Sequence, residues 1–101
     1  MSTTRVIRYT THPEHADENA RLIGDVFSAL SGKKPDGLHY AALRLEDGVS
    51  FMHVVTLDGD ENPLNDVPEF AEFQANIMQR VVAPPVTVFA TVVGNYELLT
   101  G

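Results

Sequence analysis

Residues 38–57 read LHYAALRL, then Glu46-Asp47-Gly48, then VSFMHVVTL. Two apolar runs rich in β-branched and aromatic residues are thus joined by an Asp-Gly pair, the strongest short-range hairpin signal. A type I′ turn, which needs positive φ at both central residues, is expected at Asp47-Gly48. Residues 38–45 then form strand two and 49–57 strand three. Counting outward from the turn, Arg44 opposes Phe51, Ala42 opposes His53 and Tyr40 opposes Val55 on one face. The other face pairs Leu45 with Ser50, Leu43 with Met52, Ala41 with Val54 and His39 with Thr56. A half-solvated sheet alternates apolar with polar residues. Neither face of this hairpin is polar.

The flanking segments supply the rest of the sheet and its cover. Residues 5–10 (RVIRYT) read as strand one. Thr11-His12-Pro13-Glu14 has the spacing of a capping box. Ala16, Ala20, Ile23, Phe27 and Leu30 follow at three- and four-residue steps, which predicts helix one over 12–31, stopped by Gly32 and Pro35. Residues 58–66 (DGDENPLND) are an acidic loop. Asp66 is expected to cap helix two, whose stripe is Phe70, Phe73, Ile77 and Val81, and Pro84-Pro85 ends it. Residues 86–93 (VTVFATVV) form strand four, with Gly94 at a bulge or at its end. Pro13-Glu14-x-Ala16 and Pro68-Glu69-x-Ala71 occupy the same place in each half, a faint internal repeat. The order β-α-β-β-α-β is the ferredoxin-like split unit, with two helices on one face of a four-stranded antiparallel sheet. Strand three is central in that topology and strand two lies at an edge.

Two helices cover one face only. Four strands at about 4.8 Å spacing and eight residues long leave roughly 500 Å² of the other face open. That is at the upper limit for an exposed apolar patch on a soluble monomer. A homodimer closing the two sheets against each other is therefore expected. The more apolar face, with Leu43, Leu45, Met52 and Val54, is assigned to the helices. The mixed face, with Tyr40, Arg44, Phe51 and His53, is assigned to the partner.

The 101 residues suffice for a single domain, 1–101, with no room for a second core. Seven Lys and Arg against 14 Asp and Glu give a net charge of −7, which repels phosphate backbones and anionic lipid. Neither nucleic acid nor a membrane is an expected partner. The absence of Cys excludes disulfides, a thiolate nucleophile and Cys-ligated metal. The N-terminal residues lack the apolar core of a signal peptide, and a cytoplasmic location is expected.

A chain of about 100 residues with this element order and two apolar sheet faces resembles the dimeric α+β barrel superfamily, the likeness covering residues 5–96. Its nearest flavour is similar to the antibiotic-biosynthesis-monooxygenase-like group. That resemblance implies a homodimer of face-to-face sheets. It also implies either oxidation of electron-rich polycyclic aromatics by dioxygen without a cofactor, or haem binding and degradation. Enzymatic members commonly place an Asn, a Trp and sometimes a His in a cavity between helices and sheet. This chain contains no Trp. No catalytic motif of the group carries over residue by residue.

Three residues are the candidate ligand-binding groups. His53, in the central strand between Met52 and Val54, could act near neutral pKa as a base toward a phenol or as an axial haem ligand. Tyr40, two residues from the centre of the neighbouring strand and on the same face, could orient a planar ligand. Asn19 interrupts the apolar stripe of helix one and could bond a substrate carbonyl or bound oxygen. The bland readings are interface or core packing for His53 and Tyr40, and a backbone-bonded stripe edge for Asn19. Asp58-x-Asp60-x-Asn62 with Glu69 matches part of a calcium loop, but Pro63 stands where that loop needs glycine. No metal or cofactor is expected. The leading expectation is a small homodimeric protein that binds or oxidises a small apolar or aromatic molecule. A non-catalytic binding or regulatory dimer and a haem-binding protein are the alternatives.

Overall fold

The computed structural model describes residues 2–96. Strands β1 (Thr3–Thr10), β2 (Leu38–Arg44), β3 (Ser50–Leu57) and β4 (Val86–Ala90) form one antiparallel sheet in the order β2-β3-β1-β4. Helix α1 (Ala16–Lys33) joins β1 to β2, and helices α2 (Pro68–Ala75) and α3 (Ile77–Arg80) join β3 to β4. This is the α+β ferredoxin-like fold, with β3 central and β2 at an edge. The hairpin register is that read from the sequence, with Arg44 opposite Phe51, Ala42 opposite His53 and Tyr40 opposite Val55.

The two sheet faces are exchanged relative to the sequence-based assignment. Tyr9, Phe51, His53 and Val55 lie in the core beneath the helices, with Tyr40 packed against it. Leu43, at 49% exposure, Leu45, Val86 and Val88 face outward, and Met52 and Val54 are half-buried on that same side. Aliphatic count misled because the helix-facing face carries the larger side chains. Aromatic rings fill more space per residue, and their polar tips find partners in the interior.

Several local signals resolve differently from their first reading. The hairpin turn is closed by the Gly48 N–H donating to the Leu45 carbonyl, with Gly48 at φ +79°. Asp47 keeps a negative φ, so the turn is not type I′. Instead its carboxylate accepts the N–H groups of Val49 and Ser50 at 3.0 and 2.8 Å and the Ser50 hydroxyl at 2.6 Å. These three donors hold the Asp47 carboxyl below its usual pKa, the Ser50 hydroxyl most strongly. Neither expected cap forms. Thr11 donates its hydroxyl to the Val49 carbonyl, tying β1 to the hairpin, and a short 3₁₀ turn, Pro13–His15, leads into α1. Asp66 sits inside a second such turn, Pro63–Asp66, and Val67 precedes α2 without a side-chain cap.

Helix α1 runs through Gly32 and ends where Lys34 adopts φ 46°, its N–H bonded to the Leu30 carbonyl. Its buried centre is Ala16, Asn19, Leu22 and Val26, one step round from the expected stripe, with Ala20, Ile23 and Leu30 beside it. The second helical segment is broken at Asn76 rather than continuous. Arg80 Nη2 donates to the Phe73 carbonyl at 2.6 Å, the acceptor that an unbroken helix offers to the Ile77 N–H. Strand β4 stops at Ala90, short of the expected residue 93.

Candidate functional site

Between the sheet and α2 lies a cavity of about 390 Å³, and Tyr9, Tyr40 and His53 stand on its sheet side, opposite Phe70 and Phe73. Three neighbouring strands place the first three residues. Alternation along β1, β2 and β3 turns Tyr9, Tyr40 and His53 to one face, and the register sets His53 between Ala42 and Ile7. Helix α1 brings Asn19 down onto them from above. All three sequence-based candidates, His53, Tyr40 and Asn19, thus belong to one cluster, to which the structure adds Tyr9 and Arg80.

The cluster is a continuous hydrogen-bonded chain. Arg80 Nε donates to Asn19 Oδ1 at 3.0 Å, and Asn19 Nδ2 donates to Tyr9 Oη at 2.9 Å. Tyr9 Oη lies 2.8 Å from His53 Nε2, and Tyr40 Oη lies 2.6 Å from His53 Nδ1. The orientation of the Asn19 amide follows by elimination. Arg80 has only donors, so it fixes the Asn19 amide with its oxygen toward Arg80 and its NH₂ toward Tyr9. The neutral His53 ring accepts from one tyrosine and donates to the other, and both tyrosines line the cavity. One tyrosine hydroxyl hydrogen is therefore left for an acceptor in the cavity.

Burial sets the electrostatics. His53 is 4% exposed, and desolvation lowers its pKa from 6.5 to about 4, so the imidazole is neutral near pH 7. The near-neutral base expected from the sequence is not what the fold makes. Nor is either ring nitrogen free for a haem iron, since both are engaged by tyrosines. Desolvation also pushes Tyr9 up to about 12, outweighing the Asn19 hydrogen bond and the Arg80 charge, and pushes Tyr40 up further. Both phenols are protonated donors at neutral pH. Asn19 is fully buried at 0% exposure, and Arg80 is 2% exposed beneath the Phe73 ring, its Cζ 5.1 Å from the centroid.

Arg80 escaped the sequence reading because one cation near a helix end usually points to solvent. Tyr9, at the end of strand one, carried a usable signal: its alternation phase matches that of the hairpin's aromatic face. Two other polar residues of the hairpin and the acidic loop take ordinary structural roles. His39 pairs with Asp58 at 3.0 Å, and Asn62 accepts the Leu64 N–H at 3.0 Å. Among the described residues no group of three potential ligands could hold a metal ion. No described helix is long and apolar enough to cross a membrane.

A ferredoxin-like sheet with a hydrogen-bonded polar cluster lining a cavity under its helices defines a small α+β protein. Comparison with known proteins narrows the fold. No protein-family model matches the chain, and no curated protein matches its sequence. Solved structures match closely in shape. One, from Nitrosomonas europaea and named "putative antibiotic biosynthesis monooxygenase", superposes with a TM-score of 0.73 at 6% identity, covering 91% of this chain and 90% of that one. A protein of the same name from Chloroflexus aurantiacus has a TM-score of 0.73 at 12% identity, covering 97% and 99%. A third, from Caulobacter crescentus, has a TM-score of 0.72 at 15% identity, covering 92% and 91%. The chain therefore has the fold of the antibiotic-biosynthesis-monooxygenase-like proteins. At these identities the likeness speaks for the fold alone.

Proposed function

We propose that the chain binds a small planar aromatic molecule in the cavity and oxidises it with dioxygen, without a cofactor. The observation that carries this reading is the hydrogen-bonded tyrosine–histidine cluster at the wall of a cavity of about 390 Å³. Ligand sites begin at roughly 300 Å³. A cavity above that size favours ligand binding over a closed, non-catalytic dimer.

The proposal assigns the cavity-facing hydroxyl hydrogen to Tyr40, and the chemistry follows from that assignment. Tyr40 donates to the oxygen of an enol or phenol-type substrate and stabilises the anion that forms when it ionises, as a preorganised donor does in a dry site. Asn19, Tyr9 and His53 hold that donor in place and are positioning residues. The proton released on ionisation passes to solvent. The anion's carbon bonds to dioxygen to give a ring hydroperoxide that takes a proton back, and loss of the remaining C–H proton as the O–O bond breaks gives a ring carbonyl and water. His53 serves as a neutral link, not as the base.

Oxygen uptake with an anthrone and hydroquinone panel tests this. Wild type should consume oxygen with saturation kinetics, and Tyr40→Phe should slow turnover about 100-fold. Uptake no faster than the uncatalysed reaction, or unchanged in Tyr40→Phe and in a His53→Ala, Asn19→Ala double variant, would dispose of these roles.

The same reading includes a homodimer. The outward sheet face, with Leu43, Val86 and Val88 exposed, offers the apolar area of roughly 500 Å² per chain that a second copy would cover. A location in the cytoplasm belongs to this proposal as well.

A further inference from the structure

Among the described residues Arg5 is the one charged side chain lining the cavity, and no carboxylate lines it, although the whole chain carries a net charge of −7. It lies in a row that crosses the sheet, since Arg5 pairs with Val55 and with Phe89, and Val55 pairs with Tyr40. Among the described residues the Arg5 guanidinium has no ion pair, and its Nε is buried without an acceptor. Its Cζ stands 6.0 Å from the centroid of the Phe89 ring. The other arginine at the site, Arg80, is spent on Asn19 and the Phe73 carbonyl.

Arg5 is half-buried, and its buried Nε–H without an acceptor is costly unless something completes it. A planar fork of N–H donors is best completed by a carboxylate. We propose that Arg5 is an anion subsite and that the cavity takes an aromatic acid. The carboxylate lies on the Arg5 guanidinium, the rings run across Val55 beneath Phe70 and Phe73, and an oxygen at the far end accepts from Tyr40. Arg5 and Tyr40 stand two strands apart, about 10 Å at 4.8 Å per strand, the reach of a fused bicyclic acid with a distal hydroxyl. This inference rests on the small-molecule reading of the cavity and names its substrate class.

Fluorescence titration with 6-hydroxy-2-naphthoate and its uncharged primary amide tests both separately. Wild type is expected to bind the acid about tenfold or more tightly than the amide at low salt. Arg5→Gln should bring that ratio to about one, and Arg5→Lys should keep part of it. Circular dichroism melts establish that each variant is folded. The comparison within wild type stands even if a variant fails to fold. Equal binding of acid and amide by wild type, or an undiminished ratio in folded Arg5→Gln, overturns the anion subsite and leaves the aromatic cavity standing. Binding of neither probe overturns the subsite and the cavity reading together.

Discussion

His53 sits between two phenols whose protons it neither takes nor gives up at neutral pH, and that neutrality has a thermodynamic consequence. Its pKa is near 6.5 when unfolded and about 4 when folded, so between those values the unfolded chain binds the additional proton. The stability it contributes is complete above pH 6.5 and is lost as pH falls toward 4. The full shift corresponds to about 3 kcal/mol. Melting temperature should fall through that window, and His53→Gln should flatten this part of the profile. A wild-type profile flat from pH 6.5 to 4 would contradict the burial argument. Asp47 acts lower, because its depressed pKa makes the hairpin turn's contribution disappear only as pH drops through the acidic range. The candidate residues Asn19, Tyr40 and His53 were readable as polar groups in apolar settings. Their mutual contact was not, because it depends on which sheet face meets the helices. A count of aliphatic carbons does not decide that.

The helices carry the local departures from ideal geometry, and these are correctable. Gly24 lies inside α1, and a Cβ added there would meet nothing within 4 Å. Gly24→Ala should therefore stabilise the fold by about 0.5–1 kcal/mol in urea unfolding, through backbone entropy alone. Lys34 holds the left-handed conformation that usually favours glycine at a helix end. Lys34→Gly should stabilise by up to about 1 kcal/mol, and a loss of stability would show that the lysine side chain makes a contribution of its own. Element order, strand register and the central place of β3 were all readable, because period-two alternation and the Asp-Gly turn fix them locally. Caps and helix ends were not. Thr11 and Asp66 had the right chemistry at the right spacing, yet tertiary partners claimed Thr11 and a 3₁₀ turn absorbed Asp66. The break at Asn76 was equally hidden, since it follows from Arg80 reaching back to a carbonyl seven residues earlier.

At the scale of the whole molecule, one sheet face builds the candidate site and the other exposes Leu43, Leu45, Val86 and Val88. The dimer proposal predicts a sedimentation mass of about twice 11.1 kDa at micromolar concentration. Val88→Lys, on the outward face, should return the mass to that of one chain, and a wild-type monomer would rule out the barrel. The cavity stands independently of that outcome, because its walls come from the sheet and helices of one chain. Thr87, on the edge strand, lines the cavity and is itself exposed, so Thr87→Trp can fill the space with little strain on the core. The most direct measurement is a calorimetric titration of wild type and Thr87→Trp with an anthrone. The prediction is saturable binding of one ligand per chain by wild type and its loss in a variant that melts at the same temperature. Equal binding by both proteins, or binding by neither, would contradict it.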